Sequence, residues 1–332
     1  MTREVVLAAR PQGVPQETDF ELREVAAAEP GDGEVSIRNV YVSVDPYMRG
    51  RMTGVRTYVA PYEVGDPIEG GAVGRVVTSK HEGLSEGDWV LSQLGWREAG
   101  VAEGKRLRKL DPALAAPSTA LGALGMPGFT AWIGLTEIAA VKEGETIYVS
   151  GAAGAVGSAA VQIAKLKGLH VIGSAGSDEK VEWLRSLGVE AFNYRETRAK
   201  DALADGIDVY FDNVGGDQLE AAFTALRPFG RVAACGAISH YNNQQPEPGP
   251  RNMAFIVSKR LRVQGFIVSD HFSRFDEFLQ EVGPWVAEGK LECRETMLEG
   301  IENLPAAFAG LFHGHNTGKM LVRVGPDEPS GV

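Results

Sequence analysis

Residues 149–158 read Val149-Ser150-Gly151-Ala152-Ala153-Gly154-Ala155-Val156-Gly157-Ser158, three glycines at intervals of three between an apolar run and an amphipathic segment. At such a junction Gly151 and Gly154 let the backbone turn tightly and approach a phosphate, and Gly157 lets the next helix press against a sheet. The helix start then offers unbonded N–H groups to an anion. The chemistry served is the binding of a dinucleotide pyrophosphate. The spacing is one residue looser than GxGxxG, so a glycine-rich turn without a ligand is the other reading. Further on, Gly173-Ser174-Ala175-Gly176-Ser177 carries no acid where a carboxylate would hold a ribose 2′-hydroxyl. Small residues leave room for a 2′-phosphate, and Lys180, one turn later, brings a point charge, which favours NADP(H) over NAD(H). Alternatively, Asp178 is the ribose acid and Lys180 a solvated helix residue.

The elements that must position these residues follow from periodicity. Residues 145–150 form a short apolar run suited to a buried parallel strand, and Val156, Ala160, Val161, Ile163, Ala164 and Leu166 recur at helical spacing. A second strand is predicted over 170–174, followed by a helix with Ser177 as N-cap, Asp178 and Glu179 in its first turn, and Gly188 as its stop. Strands at 208–212 and 230–236 flank a helical stripe of Leu219, Ala222, Phe223 and Leu226. Another helix carries Phe275, Phe278, Leu279, Val282 and Val286, with a kink or break expected at Gly283-Pro284. Strands alternating with helices from about residue 119 indicate βαβ units around a parallel sheet.

Residues 1–118 differ: short β-type runs over 34–45, 71–78, 88–91 and 105–110 are separated by Gly/Pro turns. Within 34–45 the apolar alternation changes phase, from Val35 and Ile37 to Val40, Val42 and Val44, so a bulge or a strand buried on both faces is expected. The run 318–324 is again β-type. The expected organisation is therefore a β-rich domain over 1–118, a doubly wound α/β domain over 119–299, and a return to the first domain over 300–332. Residues 242–250, rich in Asn, Gln and Pro, read as a mobile loop, a candidate lid.

A length of 332 residues suits two domains, and a net charge of −11 argues against nucleic-acid or anionic-membrane partners. No apolar run is long enough to span a bilayer, and the N-terminus reads without a signal-peptide core, so a cytoplasmic location is expected. Two cysteines, Cys235 and Cys293, are too few for a disulfide framework or a thiolate zinc site. His313 and His315 read as a surface turn.

The chain resembles the zinc-independent medium-chain dehydrogenases/reductases, in the branch of the prostaglandin reductases, leukotriene B4 12-hydroxydehydrogenases and plant double-bond reductases. The resemblance runs through residues 39–52, 151–157, 176–180, 192–194, 211–216, 235–239 and 316–319. It implies a GroES-like catalytic domain, a Rossmann domain inserted in it, NADPH, a homodimer, and reduction of the carbon–carbon double bond of an α,β-unsaturated ketone or aldehyde. By the same resemblance Gly151, Ala152, Ala153, Gly154, Ala155, Val156 and Gly157 line the pyrophosphate, and Lys180 and Tyr194 hold the 2′-phosphate. Asn213 faces the nicotinamide-side ribose. Cys235, Gly236, Ala237, Ile238, Ser239, Tyr241, Phe266, Ile267 and Val268 run beside the nicotinamide, and Asn316 closes over the cofactor. Tyr47 and Tyr241 match tyrosines that look toward substrate, with His240 standing where relatives often have Thr.

Zinc-dependent relatives use cysteines and a His-Glu pair, yet residues 1–234 contain no cysteine and Ile68 stands where those enzymes carry His. No metal is therefore expected, and an enolate forming on substrate must be met by a hydrogen-bond donor. Tyr47, Tyr241 and the cofactor's ribose hydroxyl are the candidates, against a plain reading of both tyrosines as packed aromatics. Tyr41 and Tyr62 are weaker candidates. Arg49 and Arg51 could meet an anionic tail or simply be solvated. Residues 260–268 are the expected edge strand of a dimer. A quinone oxidoreductase of the same superfamily, or an NADPH-binding protein without turnover, are the competing functions.

Overall fold

The computed structural model describes residues 1–326, and divides them into two units, one of residues 1–121 with the chain from 295 onward and one of residues 122–294. Positions 327–332, the end of the expected 300–332 segment, lie outside the described residues.

In the first unit β1 (Thr2–Leu7) pairs antiparallel with β2 (Phe20–Val25). The long strand β3 (Glu34–Ser43) precedes the one-turn helix α1 (Met48–Arg51), and β4 (Ala72–Ser79), β5 (Trp89–Ser92), β6 (Ala99–Glu103) and β7 (Arg108–Leu110) follow. The phase change read in β3 is a real irregularity: its register with β4 shifts at Ser36/Ile37 and again at Asn39/Tyr41. Those shifts let Val35, Ile37, Val40 and Val42 all be buried.

The second unit contains α2 (Met126–Ile133), β8 (Thr146–Val149), α3 (Ala155–Leu166), β9 (His170–Ala175), α4 (Asp178–Ser186), β10 (Glu190–Asn193) and α5 (Ala199–Ala202). It continues with β11 (Ile207–Asp212), α6 (Gly216–Ala225), β12 (Leu226–Ala234), α7 (Ala254–Ser258), β13 (Arg262–Gly265) and α8 (Phe275–Ala287). The strands form one parallel sheet in the order β10-β9-β8-β11-β12-β13, so the chain reverses direction across the sheet between β8 and β11. In such sheets ligands bind at the carboxyl ends of the strands beside that reversal. Helix α8 runs unbroken through Pro284, where a kink or break was expected at Gly283-Pro284. Phe278 and Val282, fully buried on one face, hold it to the core and outweigh the one backbone bond that proline removes.

The chain then returns to the first unit through β14 (Glu295–Glu299), α9 (Leu304–His313) and β15 (Lys319–Arg323). Strand β15 pairs antiparallel with β3 and parallel with β14, completing a seven-stranded sheet. Two boundaries differ from the expected 118/119 and 299/300. Ala120 and Leu121 pack with Val40, Val73 and Trp89 in the first unit's core, and β14 is claimed by β15. Among the described residues no helix is long and apolar enough to cross a membrane.

Candidate functional site

In the second unit the glycine turn sits at the carboxyl end of β8, at the reversal point. Gly151 takes φ +59°, which favours glycine, and Gly154 ends the turn as N-cap of α3 with no side-chain cap. A Cβ on Gly157 would stand 2.2 Å from the Gly151 carbonyl oxygen and 2.8 Å from the Ala152 Cα, so the helix start lies directly against the turn. Ala152 and Ala153 are buried. The first N–H groups of α3 have no partner within the helix, which makes a cradle suited to a pyrophosphate.

At the end of β9 the backbone passes Gly176 and Ser177. The Ser177 hydroxyl caps α4 by accepting from the Lys180 N–H at 3.4 Å. The Tyr194 hydroxyl lies over Gly176, 2.8 Å from where a Cβ would be. The Asp178 carboxylate accepts from Asn193 Nδ2 at 2.9 Å, so one of its oxygens is already engaged. Lys180 is half-buried, and burial together with the Arg195 charge holds its pKa below the ordinary lysine value. Lys180, the Arg195 charge that acts on it and the Tyr194 hydroxyl over Gly176 together suit an additional phosphate. Arg195 was missed from sequence because it follows the strand in an ordinary turn, its N–H donating to Asn193 Oδ1 at 3.1 Å.

The carboxyl ends of β8, β11 and β12 are joined by a buried polar network. Asp212 Oδ1 accepts from the Tyr210 hydroxyl (2.7 Å), the Val214 N–H (3.0 Å) and the Gly215 N–H (2.8 Å). The Ser150 hydroxyl, which accepts from Tyr210 at 2.9 Å and from the Asn213 N–H at 3.1 Å, donates to the same oxygen at 3.4 Å. Desolvation raises the Asp212 pKa, although four donors oppose it. Asn213 donates its side-chain amide to the Ser150 carbonyl at 2.8 Å, so it is fixed beside the glycine turn. Segment 235–241 is knitted onto this loop: Gly236 N–H donates to Asp212 O, Ile238 N–H to Asn213 O, and the Ser239 hydroxyl to Val214 O at 2.6 Å. Burial lifts the Cys235 thiol to about 12, leaving it an inert packed residue. The Tyr241 hydroxyl folds back over Gly236 and accepts from the Ala237 N–H at 3.4 Å. Phe266 packs against the core beside Gly134, and Ile267 leads into the turn that begins at Val268. Asp212, a carboxylate ending a strand of buried apolar residues, was the sequence signal for this network.

In the first unit Tyr47 is the N-cap of α1, and its hydroxyl lies near Gly70. Burial, with the Tyr62 hydroxyl and Asp45 adding to it, pushes its pKa well above the ordinary tyrosine value, so the hydroxyl stays neutral and able to donate. Tyr62, by contrast, donates to the Glu69 carbonyl at 2.5 Å and lies beneath the Arg51 guanidinium, 3.9 Å from the ring centre. Arg49 is not solvated: it is buried, and donates to the Pro11 and Gly13 carbonyls. Tyr41 stacks on Trp89. Asn316 donates to the Gly318 carbonyl at 2.8 Å, and the Thr296 hydroxyl ties down the adjacent Thr317. Among the described residues no three His, Cys, Asp or Glu side chains are grouped as metal ligands.

A parallel sheet with this strand order and this glycine turn is a dinucleotide-binding Rossmann sheet, here inserted in the sequence of a β-rich unit. Two family models agree: the N-terminal domain of oxidoreductase matches residues 3–110, and zinc-binding dehydrogenase matches residues 155–283. The chain is 44% identical over 338 residues to the NADPH-dependent curcumin reductase of Escherichia coli, covering 98% of each. It is 40% identical over 334 residues to the NADP(+)-dependent 2-alkenal reductase of Nicotiana tabacum, covering 97% of each. The crystal structure of CurA in complex with NADPH from Vibrio vulnificus superposes with TM-score 0.92 at 40% identity, covering 98% of this chain and 99% of that one. The chain belongs to the zinc-independent medium-chain dehydrogenase/reductase family.

Proposed function

We propose that this chain is an NADPH-dependent reductase of the carbon–carbon double bond of α,β-unsaturated ketones and aldehydes. The observation that carries the reading is identity of 40–44% along nearly the whole length with relatives named as NADP-dependent reductases of curcumin and of 2-alkenals. The glycine cradle and the acid-free end of β9 support the choice of cofactor. When bound, NADPH supplies a hydride for the β-carbon of the substrate. The residues 151–157 hold the pyrophosphate, Lys180 and Tyr194 the 2′-phosphate, and Asn213 the nicotinamide-side ribose. Residues 235–239, Tyr241 and 266–268 flank the nicotinamide, and Asn316 belongs to the same binding set.

Tyr47 donates a hydrogen bond to the substrate carbonyl oxygen, where charge builds up as the β-carbon is reduced. Its raised pKa favours this role, since a hydroxyl that does not ionise remains a donor across the neutral and alkaline range. Tyr241 is the second candidate donor, and the α-carbon takes its proton from solvent or from one of the two. The homodimer belongs to the same proposal. Among the described residues strand β13 pairs only with β12, all four of its residues are exposed, and Val257 (80% exposed) and Phe229 (65%) lie on neighbouring segments. A cytoplasmic setting is in keeping with two cysteines, neither in a disulfide, in a chain of this length.

Steady-state oxidation of NADPH against 2-alkenals, aryl enones and a simple quinone tests the function. Turnover with alkenals or enones is expected. Turnover with the quinone alone would replace this function by a quinone oxidoreductase, and cofactor binding without any turnover would replace it by a non-catalytic role.

A further inference from the structure

Lys319 opens the strand Lys319-Met320-Leu321-Val322-Arg323, and its ammonium is buried, with its side chain 3% exposed. An unpaired charge there would be prohibitively costly, so its partners show what it is for. The Lys319 ammonium lies 3.2 Å from Asp45 Oδ1, whose side chain is 8% exposed, and donates to the Val44 carbonyl at 2.8 Å and the Met320 carbonyl at 2.7 Å. The other Asp45 oxygen accepts from the Ser43 hydroxyl. The Asp45 carbonyl in turn accepts from the Met48 N–H at 3.1 Å, closing the turn in which Pro46 and Tyr47 sit. Two of the three partners of this ammonium, Asp45 and the Val44 carbonyl, are thus the residues immediately before the Pro46–Tyr47 turn, and the third, the Met320 carbonyl, belongs to its own strand.

We infer that Lys319 is a positioning residue: through Asp45 and the Val44 carbonyl it fixes the turn that aims the Tyr47 hydroxyl. A pair serving stability alone would be replaceable, since apolar or neutral side chains of similar size commonly stabilise a core as well as a buried ion pair does. The geometry is more specific than that. The Lys319 ammonium holds both a carboxylate and a main-chain carbonyl at the entry of one short turn, so it fixes the backbone that carries Tyr47. The inference rests on the proposed donor role of Tyr47.

The test compares Lys319→Met, the paired variant Asp45→Asn/Lys319→Met, Tyr47→Phe, and the combination of all three substitutions, each measured for enone kcat, NADPH Kd and Tm. Lys319→Met strands the buried Asp45 carboxylate, takes away the cation that also faces Glu295, and lowers Tm, whereas the paired variant removes the Asp45 charge as well and recovers the part of the loss that Asp45 causes. Its kcat is expected to stay on the order of 10–100-fold below wild type with NADPH Kd unchanged, the loss typical of a reacting group displaced by about 1 Å. In the Tyr47→Phe background the pair of substitutions is expected to cost less than about twofold further, because the group being aimed is already gone. Recovery of kcat along with Tm would reduce Lys319 to a structural role. If Tyr47→Phe lowers kcat but the paired substitutions cost the same in both backgrounds, Lys319 does not act through Tyr47. An unchanged kcat in Tyr47→Phe would remove Tyr47 from the reaction, and this inference with it.

Discussion

Substituting Gly157 by Ala adds one methyl group at the tightest point of the proposed phosphate cradle. The new Cβ would stand 2.2 Å from the Gly151 carbonyl oxygen and 2.8 Å from the Ala152 Cα, whereas ordinary contact begins near 3.4 Å. Both obstacles are backbone, so no rotamer change relieves them, and the start of α3 must part from the turn by about 1 Å. Overpacking of this kind costs about 1–3 kcal/mol of stability. The binding penalty is separate, because the N–H groups proposed to receive the pyrophosphate lie on both sides of the parted contact. Losing one or two charge-assisted bonds to the pyrophosphate at about 1.5–3 kcal/mol each corresponds to roughly 10–100-fold or more in affinity. NADPH fluorescence titration and thermal melts with and without NADPH separate the two effects. The variant should melt modestly lower alone and lose most of the stabilisation that saturating NADPH gives wild type. An NADPH Kd within twofold of wild type would refute the placement of the pyrophosphate against Gly157.

Removing the Lys180 ammonium with Lys180→Ala should weaken NADPH roughly 10–100-fold, the worth of a charge-assisted bond, and leave NADH affinity unchanged. Equal effects on the two cofactors would take Lys180 away from the 2′-phosphate. Tyr47→Phe should lower kcat for an enone about 10²-fold without changing NADPH Kd, as loss of one oxyanion donor does elsewhere. Gly283→Ala places a Cβ with nothing within 4 Å inside α8, and should raise stability by about 0.5–1 kcal/mol with unchanged kinetics, read from urea melts. Burial raises the Glu295 pKa in the folded state, so folding binds its proton more tightly than the unfolded chain does. Stability from this group is therefore full below the ordinary glutamate pKa and lost as pH rises through the raised value. Glu295→Gln should accordingly gain Tm relative to wild type as pH increases, and a constant difference between pH 5 and 8 would contradict the sign.

The alternation of strands and helices in the second unit was legible because each strand is a short apolar run with a capped amphipathic helix after it. Ser177, Asp178, Glu179 and Gly188 marked the ends of α4 as observed. The bulge in β3 was legible from the phase of Val35, Ile37, Val40 and Val42. Pro284 misled because local backbone rules took no account of the burial of Phe278 and Val282. The expected 299/300 boundary leaves β14 outside the first unit, because Glu295-Thr296-Met297-Leu298-Glu299 has no pattern that says which sheet it joins. The glycine turn and the acid-free end of β9 were local in sequence and so could be read directly. The Asp212 network and the Lys319–Asp45 pair bring together residues far apart in the chain, and only a charged residue next to an apolar run hinted at either. Arg49 looked solvated because the Pro11 and Gly13 carbonyls that bind it lie in a loop more than thirty positions away.

The proposed reaction delivers hydride from NADPH to the β-carbon of an enone. Reduction of a 2-alkenal or aryl enone with NADPH carrying deuterium at the transferring position, followed by NMR of the product, tests it most directly. Deuterium at the β-carbon of a saturated carbonyl product is the expected result. Deuterium at the carbonyl carbon of an allylic alcohol, or a product without label, would contradict it.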